Sequence, residues 1–306
     1  VAAGCALAFS PDLWLGIYLI APFGASSVLL FAAPNSPLAQ PWAAIVGNTV
    51  AAVTAAASGW KLSTNVGAMA DSGVNVVAPA GGLASFYTDW EAASPANKVG
   101  YRYRWTCRLD TIVRELDARG LAVGPLGKYA IMGISMGGNA AMVYGAYHRK
   151  RISHVFSMSG YLNLSAPTMR EAVRLALIDA GVGAGVGPFS ADAMWGPPWN
   201  QAWLRNDPFV YAPSVKAHGT RLWISAGSGL PGPFDRPMSP VDYYNTGNAM
   251  GLEAIALANT RAFQLRMASL GANNVTYSFP NVGTHSWGYW ADEVIKMTPD
   301  LSANIG

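Results

Sequence analysis

Five residues restrict the folds open to this chain more than any others: Gly133-Ile134-Ser135-Met136-Gly137. Before them, "KYAIM" reads as a buried strand, and after them "MGGNAAMVYGAYH" reads as a helix. A serine at such a join sits on a strained turn, and glycines two residues to either side keep strand and helix apart. The helix N-terminus then points N–H groups at a reacting carbonyl, with the Met136 N–H as first oxyanion donor. The pattern G-x-S-x-G also arises by chance, and this chain has 33 glycines. The strand–turn–helix context is what makes Ser135 the expected nucleophile.

The surrounding sequence agrees with that context. "VNVVAP", "SHVFSMSG", "TRLWISAG" and "NVTYSFP" read as strands. "RWTCRLDTIVRELDARG", "GLEAIALANTRAFQLRMASLG" and "SWGYWADEVIKM" read as helices between or after them. Alternation of this kind predicts the α/β class, with a doubly wound, mostly parallel sheet.

A serine hydroxyl is a weak nucleophile and needs a general base. Of the 4 histidines, His148 and His154 flank the basic "HRKR" end of a helix and read as a solvated cluster. His218 lies in the polar loop "KAHGT". His285, in "GTHSWGYW" after the last predicted strand, is the best base. The acid should fall between serine and histidine in chain order, which leaves Asp235, Asp242 and Glu253. Glu253 has the most apolar neighbourhood, where a carboxylate needs a partner such as an imidazole N–H. A carboxylate stabilised by the helix N-terminus is the competing reading of that residue.

With 306 residues and 51% hydrophobic content, the chain has material for one large domain or two small ones. A net charge of +3 without a basic run gives no reason to expect nucleic-acid binding. Cys5 and Cys107 lie far apart and show no metal-ligand spacing, and serine chemistry needs no cofactor.

Charge is unevenly distributed: residues 1–60 hold only Asp12 among the charged side chains. "LWLGIYLIAPFGASSVLLFAA" is about as long as the ~20 residues that span a bilayer. A composition boundary near Ser58 therefore divides an apolar segment, 1–57, a candidate membrane span, from an ordinary-looking domain, 58–306. The competing reading makes the apolar run a buried strand of that domain, with "SSVLLFAAP" as the candidate. "APFGASSVLLFAAPNSPLAQPWAAIVGNT" resembles the HPP family of small integral membrane proteins.

Within residues 58–306 stand, in order, "GGLASFYTDW", "GISMGG", "SGYLN", "AMWGP", "AWLRNDP" and "GTHSWGYW". On these motifs the domain resembles the secreted mycolyltransferases of mycolic-acid-bearing bacteria, the antigen 85 family. The resemblance implies an α/β-hydrolase fold and a Ser135–Glu253–His285 triad, with "LEAIALANTRAF" supporting the acid. It also implies that Trp287 lies beside the sugar site. The implied reaction moves a mycolyl group from trehalose monomycolate to another trehalose monomycolate or to arabinogalactan. That implies a place outside the cytoplasm, in the cell envelope, either secreted or anchored to the membrane by the apolar segment, with trehalose mycolates and cell-wall glycans as partners. Two other functions share the pattern: a plain carboxylesterase, and a membrane protein whose hydrolase-like part is inert. Trp287 and Trp290 near His285, with Trp195 and Trp199 in "AMWGPPW", suggest a surface that excludes water and favours transfer over hydrolysis, with core packing an equal reading for Trp290 and Trp195.

The chain departs from that family in three places, one of them the stretch "EAASPANKVG", which lacks a cysteine pair that some members carry. Members carry "LLDG" with a nearby Asp and Arg before the tryptophan that Trp60 matches, supplying a second oxyanion donor and sugar contacts. Here that place holds the HPP-like stretch, where Leu30 or Phe31 would stand near the donor position. Ala226 replaces a cysteine that some members carry.

Overall fold

In the computed structural model, the described residues are 49–53, 65–79, 82, 84–93, 102–120, 128–183 and 188–305. Strands β1 (Thr49–Val53), β2 (Asn75–Val77), β3 (Tyr129–Ile134), β4 (Ile152–Met158), β5 (Arg221–Ser225) and β6 (Val275–Ser278) form one sheet. Its order is β2-β1-β3-β4-β5-β6, and each of these pairings is parallel. The alternation of elements predicts such a parallel sheet, and it agrees with the α/β-hydrolase fold that the resemblance implies.

Strand β3 shows why its sequence is apolar throughout. Tyr129 and Ile131 enter one core with helix α2 (Trp105–Ala118) and helix α3 (Met136–Tyr147). Ala130, Met132 and Ile134 enter a second core with α1 (Val66–Asp71) and α9 (Trp287–Asn304). Both faces of a parallel sheet are covered, so alternation of polar and apolar residues disappears. Helix α3 is buried along nearly its whole length, which fits its lack of an amphipathic pattern. The "FYTDW" motif is part of the same core: Phe86, Tyr87 and Trp90 are buried, and Asp89 accepts from the Thr106 N–H at the start of α2.

The sheet also departs from the sequence reading. Strand β1 lies before Ser58, inside the uncharged stretch, and is hydrogen-bonded to β2 on one side and β3 on the other. Membrane spans and two-faced parallel strands both select uncharged apolar residues, so composition does not separate them. The stretch "SSVLLFAAP" lies outside the described residues, as do Leu30, Phe31 and Trp60. Among the described residues no helix is long and apolar enough to cross a membrane.

Helices α4 (Met169–Gly183), α5 (Ala191–Trp195), α6 (Gln201–Arg205) and α7 (Pro208–Ala217) separate β4 from β5. Helix α8 runs Pro240–Ser269, longer than the predicted "GLEAIALANTRAFQLRMASLG". Ser239 and Asp242 form a reciprocal capping box around Pro240, which starts the helix about three turns earlier.

His154 is buried on β4 rather than solvated. Its Nδ1 lies 2.8 Å from the Ser153 hydroxyl. Burial, reinforced by the Arg221 charge, lowers its pKa from the ordinary 6.5 to about 4. The unfolded chain therefore binds this proton at higher pH than the folded one. Its stabilising contribution is complete above about pH 6.5 and is lost as the pH falls towards 4. Calorimetric melting across that window should show a smaller acid-induced drop for His154→Gln than for the native chain. Equal drops would assign the acid sensitivity to other groups.

Candidate active site

Ser135 is the N-cap of α3 and holds φ 55°, in the left-handed region that costs a non-glycine residue energy. A Cβ on Gly133 would stand 2.0 Å from the Gly137 carbonyl oxygen, so glycine is required there for strand and helix to meet this closely. The Ser135 N–H donates to Met158 O at 2.8 Å, tying the turn to the end of β4. Met136, as the first residue of α3, has no intrahelical acceptor for its N–H. Ser135, Met136, His285, Trp287 and Trp290 line one cavity of about 500 Å³ at the C-terminal end of β3. Ligands of open α/β sheets bind at that edge.

His285 immediately precedes the α9 N-cap, Ser286. Its Nδ1 lies 2.7 Å from Glu253 Oε2. An ionised carboxylate only accepts, so Nδ1 carries the proton and Nε2 is left with a lone pair. Trp290 meets the imidazole edge-on, with centroids 4.9 Å apart. Ser135 and His285 face the same cavity without a hydrogen bond between their side chains. In such sites that bond commonly tightens only when substrate is bound.

Glu253 is 1% exposed and satisfies its charge with fixed donors. Oε1 accepts from the Ser159 hydroxyl at 2.7 Å and from the Gly227 N–H at 2.6 Å. Ser159 in turn accepts from Trp290 Nε1 at 2.9 Å. Ser159 also holds a positive φ, 52°, directly after β4 as Ser135 is directly after β3. A buried carboxylate without such partners would cost several kcal/mol. The sequence contains these groups, Ser159 within "SGYLN", but nothing local to Ser159 or Gly227 points to Glu253.

Asp235 and Asp242 are engaged elsewhere. Asp235 accepts from Thr284 Oγ1 at 2.6 Å and from the Gly232 N–H at 2.9 Å, and Asp242 caps α8. Asp207 is a further buried acid between serine and histidine, missed by the sequence reading. It caps α7 and accepts from the Ser165 N–H. Burial therefore does not set Glu253 apart from Asp207; what differs is that the Glu253 side chain reaches His285. Trp195 is packed in the core against Phe86 and Trp203, and Trp199 is 82% exposed beside a different cavity. Neither lines the cavity of Ser135: Trp195 takes the core position that its sequence left equally open, and Trp199 does not join the surface expected near His285. Among the described residues no cluster of His, Cys, Asp and Glu has the form of a metal site.

The putative esterase family model matches residues 52–301. The diacylglycerol acyltransferase/mycolyltransferase Ag85B of Mycolicibacterium smegmatis is 36% identical over 252 residues, covering 81% of this chain and 73% of that protein. The chain belongs to the Ag85-type mycolyltransferase family of putative esterases. The Ag85C enzyme of Mycobacterium leprae is 33% identical over 245 residues, covering 80% of this chain and 69% of that one. The crystal structure of Mycobacterium tuberculosis MPT51 (FbpC1) superposes with a TM-score of 0.68 at 30% identity, covering 85% of this chain and 91% of that one. FphF, a fluorophosphonate-binding serine hydrolase of Staphylococcus aureus, shares the fold, with a TM-score of 0.57 at 15% identity. The model of the HPP transmembrane region matches residues 2–87, so the two family matches overlap over residues 52–87, which hold the end of β1 and all of β2. Ala226, where some Ag85-type members have cysteine, is buried beside Gly227, and the Gly227 N–H reaches Glu253.

Proposed function

We propose that this chain transfers a mycolyl group from trehalose monomycolate to a second trehalose monomycolate or to arabinogalactan, through an acyl ester on Ser135. The observation that carries this reading is a buried Glu253–His285 pair opening on the same cavity as the Ser135 elbow.

In the first half-reaction Ser135 Oγ attacks the ester carbonyl while His285 Nε2 takes its proton. Glu253 holds the imidazole and stabilises the imidazolium that forms. The oxyanion lies towards the Met136 N–H, and its collapse expels trehalose, protonated by His285. In the second half, a sugar hydroxyl gives its proton to Nε2 and attacks the acyl ester. The product ester leaves and Ser135 regains its proton. Trp287, beside His285 on the cavity wall, offers an apolar face to the sugar ring.

The apolar segment 1–57 would bring the catalytic domain to the membrane, outside the cytoplasm, through the part that precedes β1. Its HPP resemblance supports that placement.

Product partition tests the function. Purified chain given trehalose monomycolate should yield trehalose dimycolate and free trehalose, and its extraction from envelopes should require detergent. Free mycolic acid as the main product would make it an esterase.

A further inference from the structure

The cavity has a second wall, made by residues 234–237 and the first turns of α8. This wall is clasped to the histidine loop. The Gly229 N–H donates to Gly283 O and the Gly283 N–H to Leu230 O, each at 2.8 Å. Asp235 receives Thr284, the neighbour of His285, and also Tyr289 on α9. A Cβ on Gly288 would come within 2.6 Å of Phe234, so loop and helix meet in close contact. The His285 N–H donates to Ala249 O on α8 at 3.1 Å. Whatever this wall presents is therefore held in register with the catalytic base.

Its polar groups fall into two sets. Asp235 and Asp242 are occupied by the latch and the helix cap. Arg236, Asn245 and Thr246 line the cavity, and their side chains make no hydrogen bond or ion pair among the described residues. They stand in the same cavity as Trp287. A guanidinium offers five donors, and an amide and a hydroxyl add both donors and acceptors. That set answers a belt of hydroxyls, while the indole covers an apolar ring face. Two carboxylates beside one guanidinium oppose an anionic ligand, which leaves a neutral polyol as the matching chemistry.

We infer that Arg236, Asn245 and Thr246 form the saccharide-binding wall of this cavity, which Trp287 also lines. The inference rests on the acyl-transfer reading for its substrate class. It assigns sugar recognition to the segment between β5 and Glu253.

Calorimetric titration of the full chain carrying Ser135→Ala separates binding from chemistry. Trehalose and methyl arabinofuranoside serve as separate probes, and the tighter one identifies the source of the sugar. In that background Arg236→Ala should weaken binding at least tenfold and Asn245→Ala several-fold. Arg236→Lys should fall between Arg236→Ala and the parent, because charge is kept and the planar fork is lost. Both positions are exposed, so melting temperatures should match the parent. Variants that bind as well as the parent overturn the inference, and so does a parent that binds neither sugar. Sugar binding without acyl transfer by the native chain rejects the functional reading alone.

Discussion

Ser135→Ala should lose turnover by about 10⁶-fold, as removal of the nucleophile does in serine hydrolases where the triad acts as a unit. A serine-directed phosphonate should add one label to the native chain and none to the variant, as read by intact mass. The reason is positional: the turn at φ 55° lifts one hydroxyl into the cavity, at the N-terminus of a buried helix. His285→Gln should cost a comparable factor, and the double variant should be scarcely worse than either single one. A label that persists in Ser135→Ala would reject the nucleophile. Losses that multiply in the double variant would reject the claim that the residues act together.

Glu253→Gln should reduce turnover by about 10⁴-fold, the scale seen when a triad carboxylate becomes an amide. The hydrogen bonds give the reason. Gly227 presents an N–H to Oε1, and a main-chain donor cannot turn round. The amide oxygen must therefore stay on that side, which points the NH₂ at His285 Nδ1. The imidazole can meet it only by moving its proton to Nε2, and Nε2 can then no longer accept from Ser135. Asp235→Asn and Asp242→Asn, whose carboxylates lie on the latch and the cap, should stay within about tenfold of the native rate. Single-turnover acylation rates measure all three. If Asp235→Asn or Asp242→Asn fell as far as Glu253→Gln, the acid would be elsewhere.

The helix that carries Glu253 shows where local reading stops. The apolar run after Gly251 predicts a helix there, and it forms. Its true start lies at Pro240, because Ser239 and Asp242 close a capping box. Those three residues were visible in the sequence, but their polar, tyrosine-rich surroundings hid the pattern. The same early start places Asn245 and Thr246 on the cavity wall, in a segment that sequence patterning passes over.

What the sequence by itself determined is what neighbouring residues decide among themselves. The elbow at Ser135 needs only a strand, two glycines and a helix, all within twenty residues, so its pattern could be read directly. The parallel sheet followed from alternation, because each strand and each helix carries its own periodicity. Tertiary structure alone decided the remainder. Glu253 was separated from Asp235, Asp242 and Asp207 by contacts with Ser159, Gly227 and His285, which lie 94, 26 and 32 residues away in the chain. Strand β1 was separated from the apolar stretch around it by pairing with β2 and β3. A sheet interior and a bilayer both favour uncharged, apolar sequence, and only the hydrogen-bond partners of the backbone tell the two apart.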